Sequence, residues 1–133
     1  MKDEIVRRWL QKAHSDLRSA RILLEADDPP TESACFHAQQ AVEKMLKAYL
    51  TNKDVKVGKT HDISTLLELC IKLDKDFEAI DIDKIEQLTF YAVGVRYPDE
   101  FYVPTYKEAE EALNLAEKLW EFITQKLADI WQK

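Results

Sequence analysis

Residues 35–50, CFHAQQAVEKMLKAYL, decide the fold, because apolar side chains would cover well over half of the helix this stretch forms. At about 100° per residue, Ala38, Ala41, Val42, Met45, Leu46, Ala48, Tyr49 and Leu50 spread over an arc too broad for a helix with one neighbour. The stretch reads as a central core helix on which several elements pack. The remaining arc holds Gln39, Gln40, Glu43 and Lys47, with Phe36 among them. His37 and Lys44, seven residues apart, lie together at its edge. Phe36 is thus an aromatic ring on the polar side, to be covered by another part of the chain or by a second subunit.

On the N-terminal side, the pattern predicts a first helix from Asp3 to Glu25, with the carboxylates of Asp3 and Glu4 at the positive end of the helix dipole. Its inward stripe is Val6, Trp9, Leu10, Ala13, Leu17, Ala20 and Leu24. Opposite it, Arg7, His14, Arg18 and Arg21 form a one-sided basic line about 20 Å long at the helical rise. That line reads as a solvated face, with a contact for phosphate or an acidic partner as the alternative. Pro29 and Pro30 end this helix, since each lacks a donor and disfavours helical dihedrals in the residue before it. Thr31 is then placed to cap the central helix, which continues to Leu50 or Thr51.

Beyond the central helix, the polar segment Asn52 to Lys59 is a surface loop. Thr60 or Asp62 can cap a short helix with Ile63, Leu66, Leu67, Cys70 and Leu73 inward, and His61 reads as holding the loop. After a linking segment, Asp83-x-x-Glu86 resembles a capping box opening a helix with Ile85, Leu88, Thr89 and Ala92 on one stripe. Arg96 falls on that stripe. A guanidinium that cannot lose its charge needs acceptors there, and Asp99, Glu100 and Glu43 are the carboxylates in reach by pattern. Pro98 ends that helix, and Thr105-x-x-Glu108 is a full capping box for the last one. Its stripe runs from Ala109 through Ala112, Leu113, Ala116, Leu119, Trp120, Ile123 and Leu127 to Ile130 and Trp131. Leu115 and Phe122 lie outside it, and with Phe36 they are the candidates for a subunit interface.

No segment sustains the alternation of a strand. The expected fold is therefore all-α, an antiparallel up-and-down four-helix bundle with an additional short helix, in a single domain over 1–133. A length of 133 residues with 46% hydrophobic content suits one core without a covalent staple. Cys35 and Cys70 each sit in an apolar helical pattern, which fits buried thiols in a reducing cytosol better than a disulfide. Met1 to Glu4 lead straight into an amphipathic pattern, with no apolar run of a signal peptide, and no stretch approaches the roughly 20 apolar residues of a membrane span. A cytoplasmic protein is expected. The net charge of −6 argues against holding nucleic acid by overall electrostatics, while leaving a local basic stripe open. His14, His37 and His61 lie on three elements without metal-ligand spacing, and two glycines supply no phosphate loop, so neither metal nor cofactor is expected.

Four runs carry a resemblance: Ala13-x-x-Asp16-Leu17-x-x-Ala20-x-x-Leu23-Leu24, then Phe36-His37-Ala38-Gln39-Gln40-Ala41-Val42-Glu43-Lys44-x-Leu46-Lys47-Ala48, then Thr60-His61-Asp62-Ile63, then Arg96-Tyr97-Pro98-Asp99. Together they resemble the HEPN domain family, named for higher eukaryotes and prokaryotes nucleotide-binding, and the central run is the specific part. The resemblance implies an up-and-down bundle that dimerises, in many members beside a minimal nucleotidyltransferase with which it forms a toxin–antitoxin pair. Many members are also metal-independent ribonucleases that use an arginine followed a few residues later by a histidine, contributed by both subunits. Arg96 matches that arginine. Phe101, Tyr102 and Val103 stand where the histidine would be, and all three histidines of this chain precede Arg96.

The expectation is accordingly a non-catalytic HEPN module. It would be a homodimer that binds a nucleotide or RNA, or docks on a nucleotidyltransferase, through Arg96, Tyr97, Asp99, His37, Gln40 and Lys44. The alternative is a metal-independent endoribonuclease with a rewired site, in which Arg96 stabilises charge at phosphorus and His37 or Tyr97 replaces the missing base. A third reading is a structural partner whose polar crevice is a satisfied core network.

Overall fold

The computed structural model describes residues 1–60, 62–81, 83–88 and 103–131. Helix α1 is Lys2–Leu24, α2 is Thr31–Asn52 and α3 is Ile63–Leu73. A single 3-10 turn, Lys75–Ala79, follows. The described part of α4 is 83–88, and α5 is Tyr106–Lys126. Among the described residues no strand occurs, and the fold is the expected all-α bundle.

The directions of α1, α2 and α5 can be read from their side-chain partners. Trp9 meets Lys47 while Asp16 meets His37 and Lys44, so α1 and α2 run antiparallel. Arg21 meets Glu117 while His14 meets Trp120, so α1 and α5 are antiparallel too. The start of α2 touches the start of α5, where the Thr31 hydroxyl donates to the Pro104 carbonyl at 2.7 Å. At their far ends Tyr49 and Phe122 both lie edge-on to Phe77. Helices α2 and α5 are therefore parallel.

Helix α2 packs against α1, α3 and α5, which is why thirteen of its residues are buried. Met45, Leu46 and Leu50 are fully buried, and side chains of this size stabilise by roughly 1.5–3 kcal/mol each relative to exposure. The burial also extends into the polar arc. Gln39, Glu43 and Lys47, on the polar arc of the sequence pattern, are each at most 6% exposed. The arc reads as polar in sequence because of its residue types. In the fold three of its residues are covered, while Gln40 is only partly buried and Phe36 stays exposed.

Several local signals are used differently from their sequence reading. Thr31 does not cap α2; Pro30 occupies that position, and the threonine hydroxyl is spent on Pro104. Asp62 does cap α3, accepting from the Ser64 backbone N–H at 3.1 Å. At α4 the box is absent: Asp81 accepts from the Lys84 N–H, and Glu86 instead accepts from the Ser64 hydroxyl on α3. The Thr105–Glu108 box is complete, at 3.1 and 2.9 Å. Helix α5 stops at Lys126, short of the stripe's end, yet Leu127 and Ile130 in the following turns remain buried.

The linking segment holds the main addition. In the 3-10 turn Phe77 is fully buried, between Tyr49 and Phe122. Asp74 fastens it, accepting from the Asp76 backbone N–H, the Tyr49 hydroxyl at 3.0 Å and Lys126 at 2.9 Å, and Lys126 also pairs with Asp76. Burial, then the Asp74 hydrogen bond, pushes the Tyr49 phenol up to about 12. Phe122 is thus half-buried inside its own chain. Leu115 likewise packs partly against the core, so neither supports an interface.

Candidate functional site

Helix α2 leaves a narrow accessible edge, and the polar side chains there are organised by a carboxylate from α1. Asp16 lies at the border of the α1 apolar stripe, with its side chain 13% exposed. One of its oxygens meets His37 Nδ1 at 2.8 Å, and the other accepts from Lys44 Nζ at 2.6 Å. His37 and Lys44 are seven residues apart, two helical turns, so both reach the same carboxylate. A proton on His37 Nδ1 leaves Nε2 facing away from Asp16, while Lys44 retains two further N–H donors. Gln40 stands between them and donates to Gln39 at 3.1 Å.

Beside this edge is a buried polar row. Lys47 Nζ donates to Glu43 at 3.1 Å and lies 5.3 Å from the centroid of the Trp9 ring. Gln39 adjoins them along the helix. Buried charge is costly unless paired, and here the pair and the indole face supply part of the compensation.

The structure therefore brings together three of the expected site residues, His37, Gln40 and Lys44. Arg96, Tyr97 and Asp99 lie outside the described residues, as do Glu100, His61, and Phe101 and Tyr102 at the histidine position. Sequence reasoning missed Asp16 as a member of the site. The available signal was a lone carboxylate at the margin of an apolar stripe, one helix away from two cationic residues at the margin of another.

The basic line on α1 is not a uniform solvated face. Arg21 pairs with Glu117 at 2.8 Å, and His14 lies 5.5 Å from Trp120 and 6.1 Å from Trp131, both measured between ring centroids. Arg7 and Arg18 are exposed. Both cysteines are buried free thiols, and burial pushes each up to about 12, which leaves them inert as nucleophiles. Among the described residues no helix is long and apolar enough to cross a membrane, and no three His, Cys, Asp or Glu side chains converge as a metal set.

Comparison with known proteins agrees with this architecture. The family model for the HEPN domain matches residues 6–127. The crystal structure of TT1696 from Thermus thermophilus is 33% identical with a TM-score of 0.71, covering 91% of this chain and 97% of that one. The structure of ST0689, described as an archaeal HEPN homologue, is 27% identical with a TM-score of 0.65, covering 91% and 96%. No curated protein matches.

Proposed function

The chain belongs to the HEPN domain family, and from that premise we propose that it is a non-catalytic module that binds a nucleotide or RNA as a homodimer. In the cell it would pair with a minimal nucleotidyltransferase in a toxin–antitoxin-like couple, in the reducing cytosol where its thiols stay free. The reading rests on the α2 edge. Lys44 and the Gln40 amide form a row of hydrogen-bond donors on the accessible margin of an otherwise buried helix, with the His37 ring, paired with Asp16, beside them. Such a row suits phosphate oxygens, and Asp16 holds Lys44 and His37 in place. Arg96, with Tyr97 and Asp99, would complete it.

The test is a nucleotide and RNA binding titration run beside thermal melting, on wild type, Arg96→Ala and Lys44→Ala. Weakened binding in both variants with the Arg96→Ala fold intact supports the module. Unchanged binding with a large loss of melting temperature in Arg96→Ala rejects the binding role.

One observation favours a second reading, a metal-independent endoribonuclease. Asp16 on Nδ1 orients His37 as carboxylates orient catalytic imidazoles, so Nε2 could accept the proton of an attacking 2′-hydroxyl while Arg96 stabilises the charge at phosphorus. RNA cleavage in a chelator, lost in both His37→Ala and Arg96→Ala, would establish it.

A further inference from the structure

On the side of α1 turned away from Asp16 lies a cleft of about 490 Å³ between α1 and α5. Its walls are aromatic. The Trp120 and Trp131 rings are 5.2 Å apart and nearly perpendicular, at 81°, with His14 tilted against both. These are contact separations, so no further ring can slide between them, and a ligand is offered ring faces and edges over a floor formed by Leu17. The Trp131 indole N–H is shut off from water without an acceptor among the described residues, a cost the fold carries to keep that ring in place.

The charges along the cleft decide what it suits. Arg21 is held by Glu117 at 2.8 Å, so that pair is neutral as a unit. Glu121 is exposed and has no ion pair among the described residues. What remains is electron-rich indole surface beside one uncompensated carboxylate, on a chain of net charge −6. An anion would meet Glu117 and Glu121 with the guanidinium already engaged. A neutral ring would gain nothing from Glu121. An organic cation gains from both the indole faces and the carboxylate.

We propose that this cleft binds a small organic ammonium ion, held against the Trp120 and Trp131 faces with Glu121 as its counter-charge. The probe is choline chloride, titrated into the intact protein and followed by tryptophan fluorescence. Sodium chloride at the same ionic strength and 3,3-dimethylbutan-1-ol, the uncharged shape-mate of choline, are the controls. Trp9→Phe serves as the background, since Trp9 packs against Lys47, does not line the cleft and would only dilute the signal. Choline should give a saturable change that neither control reproduces. Glu121→Gln, an exposed position, should weaken choline binding about threefold or more while leaving the melting temperature unchanged. Three results overturn the proposal: no saturation with choline by about 100 mM, equal binding of the neutral alcohol, or unchanged choline affinity in Glu121→Gln.

Discussion

Asp16 shows how one side chain joins two helices. Its two oxygens are divided between His37 and Lys44, and replacing the carboxylate by an amide removes the charge that both donors face. Asp16→Asn should destabilise the protein by about 1.5–3 kcal/mol, the range for hydrogen bonds to charged groups. Urea denaturation measures it, and Asp16→Asn combined with Lys44→Met should recover part of the loss, because no ammonium is then left facing a neutral partner. Asp74 allows a pH test. Lys126 first, then the Asp76 N–H and the Tyr49 hydroxyl, hold its carboxyl below the ordinary 3.8. The folded value lies below the unfolded one, so the contribution is fully present above the unfolded range, about pH 4, and is lost as pH falls through the lowered folded value. Lys126→Met should therefore melt earlier than wild type at pH 7, and the gap should close in melts taken progressively below pH 4. A gap that stays constant with pH would assign the loss to packing on Phe122, which Lys126 overlies at 5.6 Å, instead of to Asp74.

The elements differ in how much of them is local. The start of α5 is written in adjacent residues: Thr105 accepts from the Glu108 N–H, and Glu108 accepts from the Thr105 N–H. Thr105→Ala should cost about 1 kcal/mol, read from the denaturation midpoint at unchanged slope. The same residue types elsewhere were diverted. Thr31 hydrogen-bonds Pro104, 73 residues away, and Glu86 receives the Ser64 hydroxyl, 22 residues away. A capping signal is reliable only when no tertiary partner competes for the same oxygen. The 3-10 turn was illegible for a related reason. Phe77 stands alone among charged neighbours, and its burial depends on Tyr49 and Phe122 arriving from two other helices.

For the whole molecule, the exposed ring of Phe36 is the main support for the proposed dimer, since Leu115 and Phe122 are partly buried within the chain. Phe36 is 40% exposed on the first turns of α2, where a large apolar ring on a monomer would face water. Phe36→Glu should convert a dimer to a monomer in sedimentation at tens of micromolar while leaving helicity unchanged. A wild type already monomeric under those conditions would remove the dimer from the proposal.

Fold class follows from the sequence because periodicity is a property of neighbouring residues: the wide apolar arc of 35–50 requires several partners, and α2 has them in α1, α3 and α5. His37 and Lys44 were placed on one edge by the same arithmetic of turns. What periodicity cannot supply is the identity of the partner across a helix interface. The α1 carboxylate that gathers the edge residues, the burial of Gln39, Glu43 and Lys47, and the meeting of His14 with Trp120 and Trp131 all depend on how far each helix is rotated and slid against the next. Those two displacements are set by the packing of whole surfaces, so only the tertiary structure decides which polar atoms end up within hydrogen-bonding distance of one another.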